Sequence, residues 1–229
     1  MTQITDHLAD IRRRIDTALQ RSQDAGRSVT IVGVSKLKPA SAVAAAATAG
    51  LTHFAENYAH EGLEKIAAVA NPALHWHFIG RIQANKTQPI ARGFSWVQTI
   101  DRTRIAARLD AQRPDELGPL NVLIQLNVDR EPQKAGAAPD ELLPLAESVA
   151  KLSRLKLRGV MGMPPAGSSP AQNRRSFLVI AEAAETLRRS GFDVDTVSMG
   201  MSGDFELAIE CGSSMVRLGT ALFGPRARG

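Results

Sequence analysis

The 229-residue sequence is poor in the features that mark several protein classes. It holds one cysteine, Cys211, which excludes an intrachain disulfide framework and a cysteine-cluster zinc site. A lone thiol fits a reduced, cytoplasmic setting. No uninterrupted apolar run reaches transmembrane length. At the N-terminus Asp6, Asp10, Arg12 to Arg14 and Asp16 interrupt every apolar stretch, so no signal-peptide core is expected there. Aromatic residues make up 4% of the chain, and Tyr58 is the sole tyrosine. The formal charge is +5, but there is no polybasic run and no zinc-finger spacing. Arginines fall in scattered groups, at 12–14, 102–108, 174–175 and 188–189. That scatter reads as solvated helix faces rather than as a nucleic-acid surface.

What is present is alternation. Short apolar runs predict strands at 30–35, 52–55, 76–80, 96–100, 121–128, 157–161, 195–199 and 215–218. Several lack period-two patterning, as strands covered on both faces should. Periodic segments predict helices at about 4–22, 39–50, 57–70, 101–112, 138–152 and 173–191. Leu8, Ile11, Ile15 and Leu19 make the first of these an amphipathic helix. Asp101 is available to cap the fourth, and Pro144 requires a kink or a late start in the fifth. Strand–helix alternation through eight units predicts a closed (β/α)8 barrel, a TIM barrel, as a single domain over 1–229. A doubly wound sheet is the alternative, but the first strand leads into no Gly-x-Gly-x-x-Gly turn. Loops at 162–172 and 129–138 are rich in turn residues, and the former is the candidate mobile segment.

In such a barrel, chemistry sits where strands end. Those positions hold Lys36, Glu56 with Asn57, Gly80 with Arg81, Asp101, Asn127, Met161 with Gly162, Ser198 to Ser202, and Arg217 to Thr220. Lys36 follows the apolar run "IVGVS", where desolvation can free an amine for attack on an aldehyde; it can equally snorkel to solvent. Lys38 reads as a loop-surface charge. Ser198, Gly200, Ser202 and Gly203 after the seventh strand, with Gly219 and Thr220 after the eighth, make a candidate phosphate cradle. Arg217 lies within the last apolar run. It predicts either a structural ion pair, with Glu206, Glu210 or a neighbouring acid, or a ligand contact. An imine-forming lysine, a phosphate cradle and a buried arginine together suggest pyridoxal 5′-phosphate (PLP). A lysine-imine enzyme such as an aldolase fits the first two. His75 and His77 share a strand face, but two ligands are too few for a metal, so no metal is expected. Packing is the expectation for His77 and Cys211.

"VSKLKP" (34–39), "ENY" (56–58), "WHFIGRIQANK" (76–86), "VLIQLNVDREPQKAG" (122–136), "LRGVMGM" (157–163) and "SMGMSGDFELAIECGSSMVRLGTALFG" (198–224) resemble the YggS/PROSC family of PLP homeostasis proteins. The likeness runs through nearly the whole chain, in family order. It implies a PLP-dependent fold type III barrel, like the N-terminal domain of alanine racemase. It implies PLP bound covalently at Lys36 as a Schiff base, with Asn57 near the cofactor. Ser198, Gly219 and Thr220 match phosphate contacts, assisted by the amides of Met199 and Gly200, and Arg217 matches the arginine facing the pyridine nitrogen. The family is linked to vitamin B6 homeostasis without an established general catalytic activity, and PLP-dependent apo-enzymes are the candidate partners. The sequence departs from the family pattern at Ala55, Arg81 and Gly203; the last is expected to loosen its turn. Racemisation, the alternative function, needs a base on each face of the substrate α-carbon. With no second domain to supply one, the chain is read as a monomeric binder.

Overall fold

Eight strands close on themselves in the computed structural model, which describes residues 2–22, 26–129 and 135–225. They are β1 (Thr30–Val34), β2 (His53–Glu56), β3 (His75–Phe78), β4 (Trp96–Ile100), β5 (Leu120–Leu126), β6 (Leu155–Gly162), β7 (Thr196–Ser198) and β8 (Met215–Leu218). Neighbours pair in parallel, and β8 returns to β1 with Arg217 opposite Val32. The helices are α1 (Thr2–Arg21), α2 (Ala40–Thr48), α3 (Ala59–Val69), α4 (Thr87–Gly93), α5 (Thr103–Gln112), α6 (Leu142–Ala150), α7 (Pro170–Arg189), α8 (Phe205–Glu210) and α9 (Thr220–Phe223). All eight expected strands are present, so the barrel and not the doubly wound sheet is the fold.

The differences from expectation have local causes. α4, preceded by a 3-10 turn at Ala84–Lys86, had no counterpart in the sequence reading, because Pro89 and a short buried face of Thr87, Ile90 and Ala91 give little periodicity. α6 starts late, at Leu142, which puts Pro144 in the first turn where its missing N–H breaks no helical bond. Asp101 does not cap α5. Its carboxylate takes the guanidinium of Arg102, 2.6 Å away, and Arg102 occupies the cap position without a side-chain cap bond.

α1 buries Leu8, Ile11, Ile15 and Leu19 against the barrel, each worth roughly 1.5–3 kcal/mol as an upper estimate. It packs on α8 and α9. Arg14 lies 4.5 Å over the Phe205 ring and pairs with Glu206, so the first helix braces the last two units. Inside the barrel, Val32, Ala55, Trp96, Leu123, Met161 and Met215 form a separate apolar cluster. β6 bulges where Arg158 has no opposite number on β5. Gly159 then adopts φ +142°, and a Cβ there would sit 1.9 Å from the Thr196 carbonyl oxygen.

Polar side chains share this interior. His77 is fully buried and stacks on Trp96 at 5.0 Å. Its Nε2 is 2.9 Å from Nδ1 of His53, whose ring lies 4.5 Å from that of His75. Among the described residues, no group of three His, Cys, Asp or Glu side chains is arranged to hold a metal ion. Burial, and then the nearby His75, push His53 down to about 4. Burial holds His77 well below the ordinary imidazole value.

Both histidines therefore bind a proton more readily in the unfolded chain. As pH falls from about 6.5 towards 4 the unfolded state is protonated first, so the stability from a neutral His53 is lost across that window. The urea midpoint is expected to drop between pH 7 and pH 4.5, with a shallower slope in His53→Asn. An unchanged slope in that variant would contradict this origin.

Candidate functional site

Lys36 stands two residues beyond the end of β1, on a turn pinned from behind. The Lys65 ammonium, on α3, donates to the Ser35 carbonyl, to Glu56 Oε1 and to Glu61 Oε1, each at 2.7 Å. Ser35 Oγ donates to the same Glu56 oxygen at 2.6 Å. Burial pushes the Glu56 carboxyl up, and the hydrogen bonds from Lys65 and Ser35 oppose it. Glu61 Oε1 also accepts the Leu37 N–H at 2.6 Å. That bond matters because Leu37 holds φ +62°, a left-handed conformation that costs about 1 kcal/mol or more in a residue with a Cβ. A buried ion cluster thus fixes the backbone that presents Lys36. Sequence reasoning singled out neither Lys65 nor Glu61, although their i, i+4 spacing on a helix was a readable signal. Lys38 is no free surface charge. Its Nζ donates to the carbonyls of Phe223 and Pro225, at 3.1 and 3.0 Å, and so caps the end of α9.

Asn57 follows β2, the neighbour of β1. Its Oδ1 is buried and, among the described residues, has no hydrogen-bond partner, so it is ready for a donor from a ligand. Gly80 is required beside it, because a Cβ there would fall 1.9 Å from the Asn57 carbonyl oxygen. Asn57, Tyr58, Arg81 and Lys86 line a cavity of about 570 Å³. The Arg81 departure therefore adds a cation to that rim. The Ala55 departure is buried inside the barrel.

Arg217 enters the barrel from β8 and is 4% exposed. Its partners are neutral: Nη1 donates to Ser198 Oγ at 2.7 Å and Nη2 to the Gly162 carbonyl at 3.2 Å. The expected ion-pair partners are engaged elsewhere, Glu206 with Arg14 and Glu210 with Arg174. Burial lowers Arg217 to about 10, with Asp204 opposing, so the guanidinium stays charged at neutral pH. Ser198 is fully buried and donates its own proton to Gln98 Oε1 at 2.7 Å. Its hydroxyl is turned into the barrel and holds Arg217, which leaves it no hydrogen for a phosphate. The Met199 N–H is likewise committed, to the Met215 carbonyl at 3.1 Å.

The loops after β7 and β8 are tied together. Ser202 Oγ accepts the Ala221 N–H at 3.1 Å, and the Gly200 carbonyl accepts the Arg217 N–H at 3.0 Å. Gly200 holds φ +94°, and a Cβ there would lie 2.6 Å from Ala208 Cβ. The turn at Gly203 is closed by Asp204, which accepts the Met201 N–H at 2.7 Å. Gly219 and the exposed Thr220 stand beside this junction at the start of α9. Loop 162–172 lines a cavity of about 430 Å³ with Asn127 and Asp204. Residues 130–134, part of the 129–138 loop and of the "VLIQLNVDREPQKAG" stretch, lie outside the described residues. Cys211 is buried, and burial pushes its thiol up.

The chain order β7–β8–β1–β2 around the barrel thus gathers Ser198 to Gly200, Arg217 to Thr220, Lys36 and Asn57 on adjoining strands at one end. Removing Lys65 would leave the buried Glu56 carboxylate without its cation. Lys65→Met is expected to cost about 3–5 kcal/mol in urea unfolding. A loss below about 1 kcal/mol would contradict the pinning role.

Comparison with known proteins finds relatives along nearly the whole chain. The family described as alanine racemase, N-terminal domain, matches residues 7–227. The pyridoxal phosphate homeostasis protein of Pseudomonas aeruginosa is 47% identical over 229 residues, covering 100% of this chain and 98% of the relative. The protein of the same name from Escherichia coli K12 is 46% identical, covering 99% and 98%. The structure of PipY from Synechococcus elongatus with PLP bound superposes with a TM-score of 0.85 at 31% identity, over 97% of this chain and 100% of that one. An alanine racemase of Clostridium difficile 630 gives a TM-score of 0.73 at 14% identity, with 97% of this chain matching 55% of the racemase. At that identity the likeness is one of fold.

Proposed function

Since the chain belongs to the family of pyridoxal phosphate homeostasis proteins, we propose that it binds PLP, held covalently by Lys36, and serves to store and release it. The observation that carries this reading is the gathering of Lys36, the buried Asn57 Oδ1 and Arg217, whose hydrogen-bond partners are neutral, at one end of four adjoining strands. When bound, PLP supplies an aldehyde, a phosphate and a pyridine ring. Lys36 fits the aldehyde. The turns at Gly200 and at Gly219 and Thr220 fit the phosphate, and Arg217 fits the ring nitrogen. Asn57 offers an acceptor beside them. In this reading Ser198 acts by orienting Arg217, and Met199 by tying β7 to β8, beside the phosphate turns.

Two features favour a carrier over a racemase. Arg217, at about 10, keeps its proton at neutral pH and does not hand it to a ring nitrogen, which weakens the ring as an electron sink. Tyr58, the sole tyrosine, is 65% exposed on the rim of the neighbouring cavity, poorly enclosed for a second base. The proposed recipients of the cofactor are PLP-dependent apo-enzymes. A monomer in the cytoplasm is the proposed setting, and the sole cysteine, a buried thiol, fits a reducing compartment. Among the described residues no helix is long and apolar enough to cross a membrane.

The purified protein is expected to show a visible absorption band with PLP that is absent in Lys36→Ala. Exchange of the α-proton of alanine enantiomers should not exceed that with free PLP. A wild type that stays colourless after PLP is added would overturn the covalent reading, and fast enantiomer-specific exchange would replace the carrier with a racemase.

A further inference from the structure

Arg217 is the near end of a longer hydrogen-bonded chain. Ser198 Oγ accepts from Arg217 and donates to Gln98 Oε1. Gln98 Nε2 lies 2.9 Å from His77 Nδ1 and 3.2 Å from Met215 Sδ. His77 Nε2 lies 2.9 Å from His53 Nδ1. The chain therefore links β8, β7, β4, β3 and β2 through the barrel interior, from the Lys36 end towards the opposite mouth. Ser198, Gln98 and His77 are each fully buried.

Its polarity follows from its first member. A guanidinium can only donate, so Ser198 must accept from it and send its proton on. Gln98 must then present its carbonyl to Ser198 and its amide to His77. His77 Nδ1 becomes an acceptor, so its proton sits on Nε2 and is donated to His53. Burial keeps His77 neutral, as this tautomer requires. Both amide hydrogens and the carbonyl of Gln98 are thereby used, which leaves that side chain one orientation.

We infer that Gln98 and His77 are positioning residues for Arg217: acting through Ser198, they fix the direction in which the guanidinium lies at the ligand end of the barrel. The inference rests on the reading that Arg217 meets the bound cofactor, but the geometry it describes belongs to the protein alone. Without the Gln98 carbonyl, the Ser198 hydroxyl has no acceptor for its proton and no reason to keep its oxygen towards Arg217. Without an acceptor at the place of His77 Nδ1, Gln98 can turn over and offer its amide to Ser198. That sets a donor against a hydroxyl that already accepts from the arginine.

The test uses the full chain, first without PLP. Nitrogen NMR of the wild type at neutral pH is expected to show the Nε2–H tautomer of His77 and separate Nη1 and Nη2 signals for Arg217. Gln98→Met and His77→Leu should merge the Arg217 signals. His77→Asn keeps an acceptor near the place of Nδ1 and should preserve them. With PLP added, release should be roughly two- to tenfold faster in the first two variants, the range that the loss of one hydrogen bond gives, and close to wild type in His77→Asn. Gln98→Met reads the same link should His77→Leu not fold. Arg217 signals that remain separate in Gln98→Met would overturn the inference, as would equal effects of His77→Leu and His77→Asn, which packing alone predicts. A wild type with the NMR signature but no PLP band would overturn the cofactor reading while supporting the positioning of Arg217.

Discussion

Arg217 carries five N–H donors into the buried interior of the barrel, where a charge is costly unless its protons find acceptors. Two of those donors meet neutral acceptors and, among the described residues, none meets a carboxylate. Ser198 and the Gly162 carbonyl take the two terminal nitrogens. Ser198 meets its own requirement through Gln98, and Gln98 does so through His77. A paired carboxylate would neutralise the arginine. Neutral partners instead leave its charge directed at whatever occupies the mouth of the barrel, which suits an electron-rich ring nitrogen.

The other half of the site meets a different constraint. Lys36 leaves β1 on a turn whose next residue, Leu37, sits in a left-handed conformation. Lys65 and Glu61 hold that turn from α3, and Glu56 on β2 completes the cluster. The lysine proposed to meet the ligand is thus distinct from the lysine that builds its platform. Lys65 is buried and fully engaged, whereas Lys36 is half-buried at the open end. One barrel end therefore has a charged cluster behind β1–β2 and a neutral relay behind β7–β8, and the proposed ligand residues lie between them.

The strands were legible because burial on both faces writes a continuous apolar run into each of them. Most helices were legible from their period. α4 was not, because its buried face is short and Pro89 interrupts it. Strand-end position and family resemblance together pointed to Lys36, Asn57, Arg217 and the glycine turns. What the side chains do there was less legible, since it depends on contacts across the barrel. Ser198 read as a phosphate ligand, and its hydroxyl faces Gln98, 100 positions away in the chain. Gln98 itself carried an unused signal: an amide in the middle of "WVQTI", a strand buried at every position, must have partners. Lys38 read as a solvated charge because the end of α9 that it caps lies far away in sequence.

The central claim is that Lys36, and no other lysine, carries the cofactor. The most direct measurement is to load the protein with PLP, reduce it with borohydride and map the modified lysine by mass spectrometry. The account predicts one pyridoxyl group, on Lys36, with Lys65 and Lys38 unmodified in the folded protein. A modification centred on another lysine, or none, would contradict it.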